Sequence, residues 1–247
     1  VGGTLGLYFN IRKNREIKLS VKTFRPDVRT IANIYKVGVP SIIMQAIGSV
    51  MTYGMNMILI TFSSTATAVF GVYFKLQSFF FMPVFGLNNG LIPIVAYNYG
   101  AGKRSRLIKA IKCSLVYAFA LLFVGFAVFE TIPERLLGMF EASEEMLTIG
   151  VPALRVIGIH FLVAWFCIIA SSVFQALGNG VYSLIVSVAR QLVVLLPVAF
   201  ILAKLGGLHA VWWAFPIAEV MSFCGSALFM ILINKKVIQN IPDNVIS

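Results

Sequence analysis

A charge inside a long hydrophobic run is costly, so the ionisable residues that interrupt such runs are the first candidates for chemistry. In this chain they are Lys75, Arg155, Arg190 and Glu219, with His160 as a neutral candidate. Glu219 is the one acid among them. Uncharged polar residues in the same runs add Gln45, Asn56, Gln77, Asn88 and Asn89. Gln45 and Asn56 have two readings that stay open. They serve as interhelical hydrogen-bonding groups, worth ~0.6 to 2 kcal/mol each, or they line a path for a solute. Lys75 lies about ten residues, or ~15 Å of helix, from the end of its run. That depth is near mid-membrane and points to a functional or pairing role. Arg155 stands near the start of a long segment and reads at least as well as interfacial. The candidate pathway or coupling set is therefore Gln45, Asn56, Lys75, Gln77, Asn88, Asn89, Arg190 and Glu219.

Depth along the helix relates two members of that set. Arg190 is about nine residues in from Val181, and Glu219 about ten in from His209, so each sits ~14 to 15 Å deep. If their helices are antiparallel neighbours, the two charges meet at one level. The expectation is a paired structural clamp, because a close guanidinium holds a carboxylate ionised. Proton carrying by Glu219 and a partnership with Lys75 are the alternatives.

Other chemistries find no support. Cys113, Cys167 and Cys224 lie in apolar runs without CxxC or metal spacing, and His160 and His209 stand alone. There is no GxSxG, HExxH or P-loop, and the GNG at 178–180 is too short for a phosphate fingerprint. The expectation is no enzyme, no metal site and no cofactor apart from a coupling ion, sodium or proton.

The elements that must position these residues follow from composition. Apolar residues make up 59% of the 247, charged residues 12%, and the mean hydropathy is +0.91. A soluble domain runs nearer a quarter charged, so the solvent here is mostly lipid and the backbone must satisfy itself in helices. The net charge of +11 does not indicate nucleic acid. Eight basic residues fall in 10–37 and five in 103–112, between apolar runs, as in cytoplasmic loops facing anionic lipid. The stretch 130–145 carries five glutamates against Arg135 and suits the opposite face.

A helix crossing the ~30 Å hydrocarbon core needs ~20 residues. Spans are expected at 39–62, 66–99, 113–129, 146–176, 181–203 and 209–233, which gives an all-α bundle of six crossings with both ends cytoplasmic. The second run is long enough for two short helices broken near Pro83 and Gly86. The positive-inside rule favours a single crossing, since it puts Lys103, Arg104 and Arg106 on the side of the other basic segment. Asn88, Asn89, Gly90 and the two prolines make this run irregular, which is tolerated only when buried in protein or lining a wet cavity. The chain starts at Val1 with an apolar stretch that reads as the cut end of a helix. The 21 Phe and nine Met, including Phe79-Phe80-Phe81-Met82, read first as packing residues and more sharply as a lining for apolar cations.

The stretch VYFKLQSFFFMPVFGLNNGLIPIVAYNYGAGK, residues 72–103, resembles the eighth helix and following loop of the multidrug and toxic compound extrusion (MATE) family. GVP at 38–40, FQALGNG at 174–180, RQLVVLLP at 190–197 and AFPIAE at 214–219 are similar to its helices seven, ten, eleven and twelve. The resemblance implies the C-terminal lobe of a twelve-helix transporter in a cell membrane, bacterial inner membrane by expectation. Residues 1–9 would end the preceding helix, 10–36 form a cytoplasmic inter-lobe linker, 37–234 the six-helix lobe and 235–247 a cytoplasmic tail. It further implies an antiporter exporting organic cations or drugs against sodium or protons. Its partners would be small-molecule organic cations, the lipid bilayer and an N-terminal lobe, with no nucleic acid. Helices seven and ten lack the acidic cation ligands some members carry there. The runner-up function is a flippase for lipid-linked oligosaccharide or polysaccharide within the same superfamily, and an intramembrane enzyme follows behind it.

Overall fold

The structure, a computed structural model, describes residues 27–241 together with Thr4, Tyr8, Phe9 and Arg12; of residues 33, 34, 36–38, 40, 41, 44 and 45 it describes the backbone alone. Regular structure among them is helical throughout. In chain order the elements are α1 (Val28–Leu59), α2 (Ser64–Gly100), α3 (Arg104–Thr131), the short α4 (Pro133–Gly138), α5 (Glu144–Gly158), α6 (Phe161–Ala176) and α7 (Gly180–Val188). A π-helical segment (Ala189–Leu195), α8 (Leu196–Val211), α9 (Ala214–Lys236) and a closing 3-10 turn (Ile238–Asn240) complete the series. The chain divides into two compact units, Val1–Val39 and Pro40–Ser247.

Local chemistry explains where helices begin. Asp27 accepts from the backbone N–H of Arg29 at 3.2 Å and of Thr30 at 3.0 Å, and from the Thr30 hydroxyl at 2.6 Å. These bonds favour the ionised carboxyl and hold it below its ordinary range, the Thr30 hydroxyl most of all. This cap starts α1 at Val28, so the last part of the expected linker 10–36 is helical, while most of 10–26 lies outside the described residues. Ser63 caps α2 by accepting the Ala66 N–H at 3.0 Å, and Ser143 caps α5 by accepting that of Met146 at 3.2 Å. Between α6 and α7 the backbone turns at Gly178, whose φ of +76 suits a residue without Cβ.

The second unit is organised around α2 and α3. The buried positions of α3 are Leu107, Ile111, Ser114, Ala118, Leu122, Gly125 and Phe129, a spacing of three and four that lays one stripe along the helix. It packs on α2 and α6. Gly125 allows the closest approach there, since a Cβ at this position would lie 3.0 Å from the rings of both Phe161 and Phe80. Around it Tyr73, Phe80, Phe129 and Phe161 form an aromatic cluster, with Phe80 edge-on to Phe129 at 5.8 Å and Phe129 tilted against Phe161 at 5.0 Å between centroids.

Six crossings were expected, and the count among the described residues is smaller. Four helices are long and apolar enough to cross a membrane, namely Ser64–Gly100, Arg104–Thr131, Gly180–Val211 and Ala214–Asn240. The pair Glu144–Gly158 and Phe161–Ala176, bent by 50°, makes a fifth if it is one broken span. The expected span 39–62 overlaps α1, whose apolar part among the described residues, Ala46–Leu59, is shorter than a crossing. The run 66–99 is one continuous helix despite Pro83 and Pro93 inside it, as a single crossing requires. The expected span 146–176 is instead divided at Ile159 and His160. Gly207, with φ of +66, breaks the regularity of α8.

Candidate functional site

The helices of the second unit leave a cavity of about 1100 Å³ between them. Its walls come from α1, α2, α6, α7, the π segment and α9, with His160 between α5 and α6. From α1 come Gly48, Thr52 and Asn56, and from α2 come Tyr73, Gln77, Phe81 and Asn88. The remaining wall is serine-rich, with Ser171 and Ser172 on α6, Ser183 and Ser187 on α7, and Ser222 and Ser226 on α9. Two of these serines satisfy their hydroxyls on backbone carbonyls, as serine commonly does in apolar helices. The Ser172 hydroxyl donates to Ile168 O at 3.2 Å, and that of Ser183 crosses to Ser171 O at 2.9 Å. The cavity thus has an aromatic side on α2 and a hydroxyl-bearing side opposite in character.

Arg190 and Glu219 are the charged side chains among its described lining. Arg190 Nη1 donates to Glu219 Oε2 at 3.0 Å, so the pair expected from depth alone is formed. The two partners differ in access, since the arginine side chain keeps 35% of its surface and the glutamate 4%. Arg190 stands on the π segment, a geometry rare in helices and frequent at functional sites. One extra residue per turn widens the helix there and shifts the register of the faces that follow. Glu219 is one turn beyond Phe215 on α9, and both face the cavity.

His160 occupies the break between α5 and α6 and also lines the cavity. Its Nδ1 lies 2.5 Å from Ile157 O, a group that only accepts, so Nδ1 carries the hydrogen. Nε2 is then a lone pair, and the Gln77 amide Nε2, 3.3 Å away, donates to it. Phe81 stacks on the imidazole at 5.9 Å and Phe161 meets it edge-on at 4.7 Å. The bend in the broken span is thereby tied to α2.

The other candidates fall in different places. Asn56, Gln77, Asn88, Asn89, Arg190 and Glu219 all line the cavity. Asn88 is buried, and its Oδ1 finds no hydrogen-bond partner. The Gln45 side chain lies outside the described residues. Lys75 is exposed and outside the cavity lining, its ammonium 5.7 Å from the Phe140 ring. It points toward the acid-rich connection that Phe140 belongs to, because α2 turns a different face to the cavity at Gln77 and Phe81. Arg155 is likewise exposed. Among the described residues no three of His, Cys, Asp and Glu gather to hold a metal ion.

Sequence reading missed Tyr73, Phe215, Gln191 and the serines. A signal was present. Phe215, Glu219, Ser222 and Ser226 recur at intervals of four, three and four, and Ser183, Ser187 and Arg190 at four and three. Small polar residues at helical spacing inside apolar runs mark an inward face.

Comparison with known proteins gives relatives and a shared fold. Two relatives are multidrug export proteins named MepA. That of Staphylococcus haemolyticus is 28% identical over 219 residues, 87% of this chain and 48% of the relative. That of Staphylococcus aureus strain MRSA252 is 28% identical over 228 residues, 92% of this chain and 49% of the relative. The chain spans about half the length of the curated relatives it matches. A crystal structure of a MATE protein in complex with MaL6 shares the fold with a TM-score of 0.80, at 22% identity over 94% of this chain and 54% of that one. The MatE family model matches residues 40–201, which run from the cavity face of α1 through the π segment into α8. On that match, the chain belongs to the MatE family.

Proposed function

We propose that this chain is the C-terminal lobe of a secondary antiporter that exports organic cations or drugs in exchange for sodium or protons. The observation that carries the reading is the cavity of about 1100 Å³, walled by aromatic rings on α2 and by serines and one ion pair opposite. A flat apolar cation gains dispersion and cation–π attraction against Tyr73, Phe81 and Phe215. The serine wall offers hydroxyls that rearrange among several solutes. A buried acid already held by an arginine gives transport a charge that changes partner as the lobe moves. The second lobe needed for alternating access would come from the other half of a protein twice this length. The relatives named as multidrug exporters favour drug efflux over the flippase reading.

In this reading the lobe sits in a bacterial inner membrane with both ends of the segment cytoplasmic, on the basic-loop asymmetry. Single-cysteine labelling with an impermeant reagent should reach position 141 from outside in intact cells and leave position 103 unlabelled. Function is tested by ethidium efflux from vesicles carrying the full-length transporter, under separately imposed sodium and pH gradients. Efflux driven by at least one gradient is expected, and absence of gradient-driven efflux under both would reject the antiporter.

A further inference from the structure

A second cavity, of about 370 Å³, lies at the basic end of the bundle and shares no lining residue with the first. One wall is the end of α2 and the turn after it, with Tyr99, Gly100 and Gly102; the other is the end of α9 and its closing 3-10 turn, with Lys236 and Asn240. The turn is held firmly. Ile238 and Ile241 are buried in the core, and Asn240 Nδ2 donates back to Lys236 O at 2.9 Å. Gly102 turns the opposite wall with φ of +65, and its missing side chain leaves the backbone open to the cleft. The Lys236 ammonium has no partner among the described residues. The stretches 99–112 and 233–241 together carry seven basic residues and no acid, so positive charge around the cleft is not balanced locally.

We infer that this cleft binds the phosphate of an anionic phospholipid, with an acyl chain lying along α9. Leu228, Leu232 and Lys236 stand four residues apart and so share one face of that helix. The two leucines are 64% and 41% exposed, which makes an apolar track leading to the lysine. Tyr97 and Tyr99, both exposed, set the level on α2 at which aromatic residues meet lipid headgroups. Lysine binds phosphate as a point charge, and Lys236 stands where the track ends. Phosphatidylcholine and phosphatidylethanolamine carry the same phosphate but add a cationic group that the surrounding bases repel, whereas phosphatidylglycerol does not. A free phosphate would gain nothing from the leucines. The site is independent of what the larger cavity carries. Diffuse attraction of basic loops to the membrane would spread over all seven charges, while a built site concentrates it on Lys236.

Native mass spectrometry of the full-length transporter, titrated in detergent with phosphatidylglycerol or phosphatidylcholine of matched chains, reads the first lipid bound. Wild type should prefer phosphatidylglycerol roughly tenfold. Lys236→Glu should abolish the preference and Lys236→Gln should reduce it; the milder variant decides if the charge reversal does not fold. Lys109→Glu makes the same charge change on an exposed lysine outside the cleft and should keep the preference. Millimolar inorganic phosphate should leave the bound phosphatidylglycerol in place. No preference in wild type, or a preference retained in both folded Lys236 variants, overturns the site. An equal loss in Lys109→Glu overturns it in favour of general surface charge, and displacement by inorganic phosphate overturns it in favour of a free anion.

Discussion

From Leu107 to Phe129, α3 buries a residue at every third or fourth position and packs on α2 and α6 along its length. The stretch Gly180–Val211 is of similar length and higher hydropathy, yet its buried residues are few: Ser183, Gln191, Leu195, Ala199 and Val211. Both would be called membrane spans on composition. The difference lies in what each face meets. In α3 the contact face is built from small and medium residues that let aromatic rings interlock, with Gly125 as the point of closest approach. In Gly180–Val211 the inward face carries Ser183, Ser187, Arg190 and Gln191, which border open volume, and a π segment interrupts the regular turn. Close packing and a cavity wall demand opposite residue sizes from the same helical geometry.

The comparison is broken most severely at the ion pair. Arg190→Gln leaves Glu219 buried without its partner and should lower stability by ~3 to 5 kcal/mol. Glu219→Gln should cost less, because the guanidinium it strands retains access to water. Arg190→Gln/Glu219→Gln should be more stable than Arg190→Gln alone, as thermal unfolding of the full-length transporter in detergent would record. Additive losses across the cycle would show that the charges do not depend on each other.

Glycine substitutions sharpen the contrast between packing and cavity. Gly125→Val places branched carbon against Phe80 and Phe161, where even a first Cβ would stand at 3.0 Å, and should cost ~1 to 3 kcal/mol. Gly48 faces the cavity, and its added Cβ would come no nearer than 3.8 Å to Gln191 Oε1. Gly48→Ala should be neutral or stabilising, by up to the ~1 kcal/mol that alanine gains over glycine in a helix. Equal destabilisation by the two changes would mean that the α1 face is packed as tightly as the α3 face.

A smaller effect is expected at the bend. Gln77→Ala removes the donor to His160 Nε2 and should cost ~0.5 to 1.5 kcal/mol, the usual worth of a neutral hydrogen bond. The smallest belongs to Lys75, whose ring contact with Phe140 is exposed and worth at most ~0.5 to 1 kcal/mol. Lys75→Ala should leave ethidium efflux by the full-length transporter at the wild-type level. A large loss of efflux in that variant would return Lys75 to the transport path.

Some of this was legible residue by residue. Helix depth put Arg190 and Glu219 at one level because rise per residue is constant and the two helices run antiparallel. Charge parity favoured a single crossing for 66–99 because each crossing reverses the side of the following loop, and one helix, Ser64–Gly100, covers that run. Lys75 escaped the same logic. Depth along an axis says nothing about rotation around it, and α2 turns Gln77 and Phe81 inward while Lys75 faces out toward Phe140.

What the sequence by itself determined is the class of solvent, the helical nature of the chain, the polar residues available and the heights at which they lie. These follow from composition and from a fixed rise of 1.5 Å per residue. The tertiary structure alone decided which faces converge on the cavity, that the broken span bends by 50° at His160, and that a π segment presents Arg190 above a buried Glu219. Those outcomes depend on side chains from separate helices competing for the same space, and no single stretch of chain contains that competition.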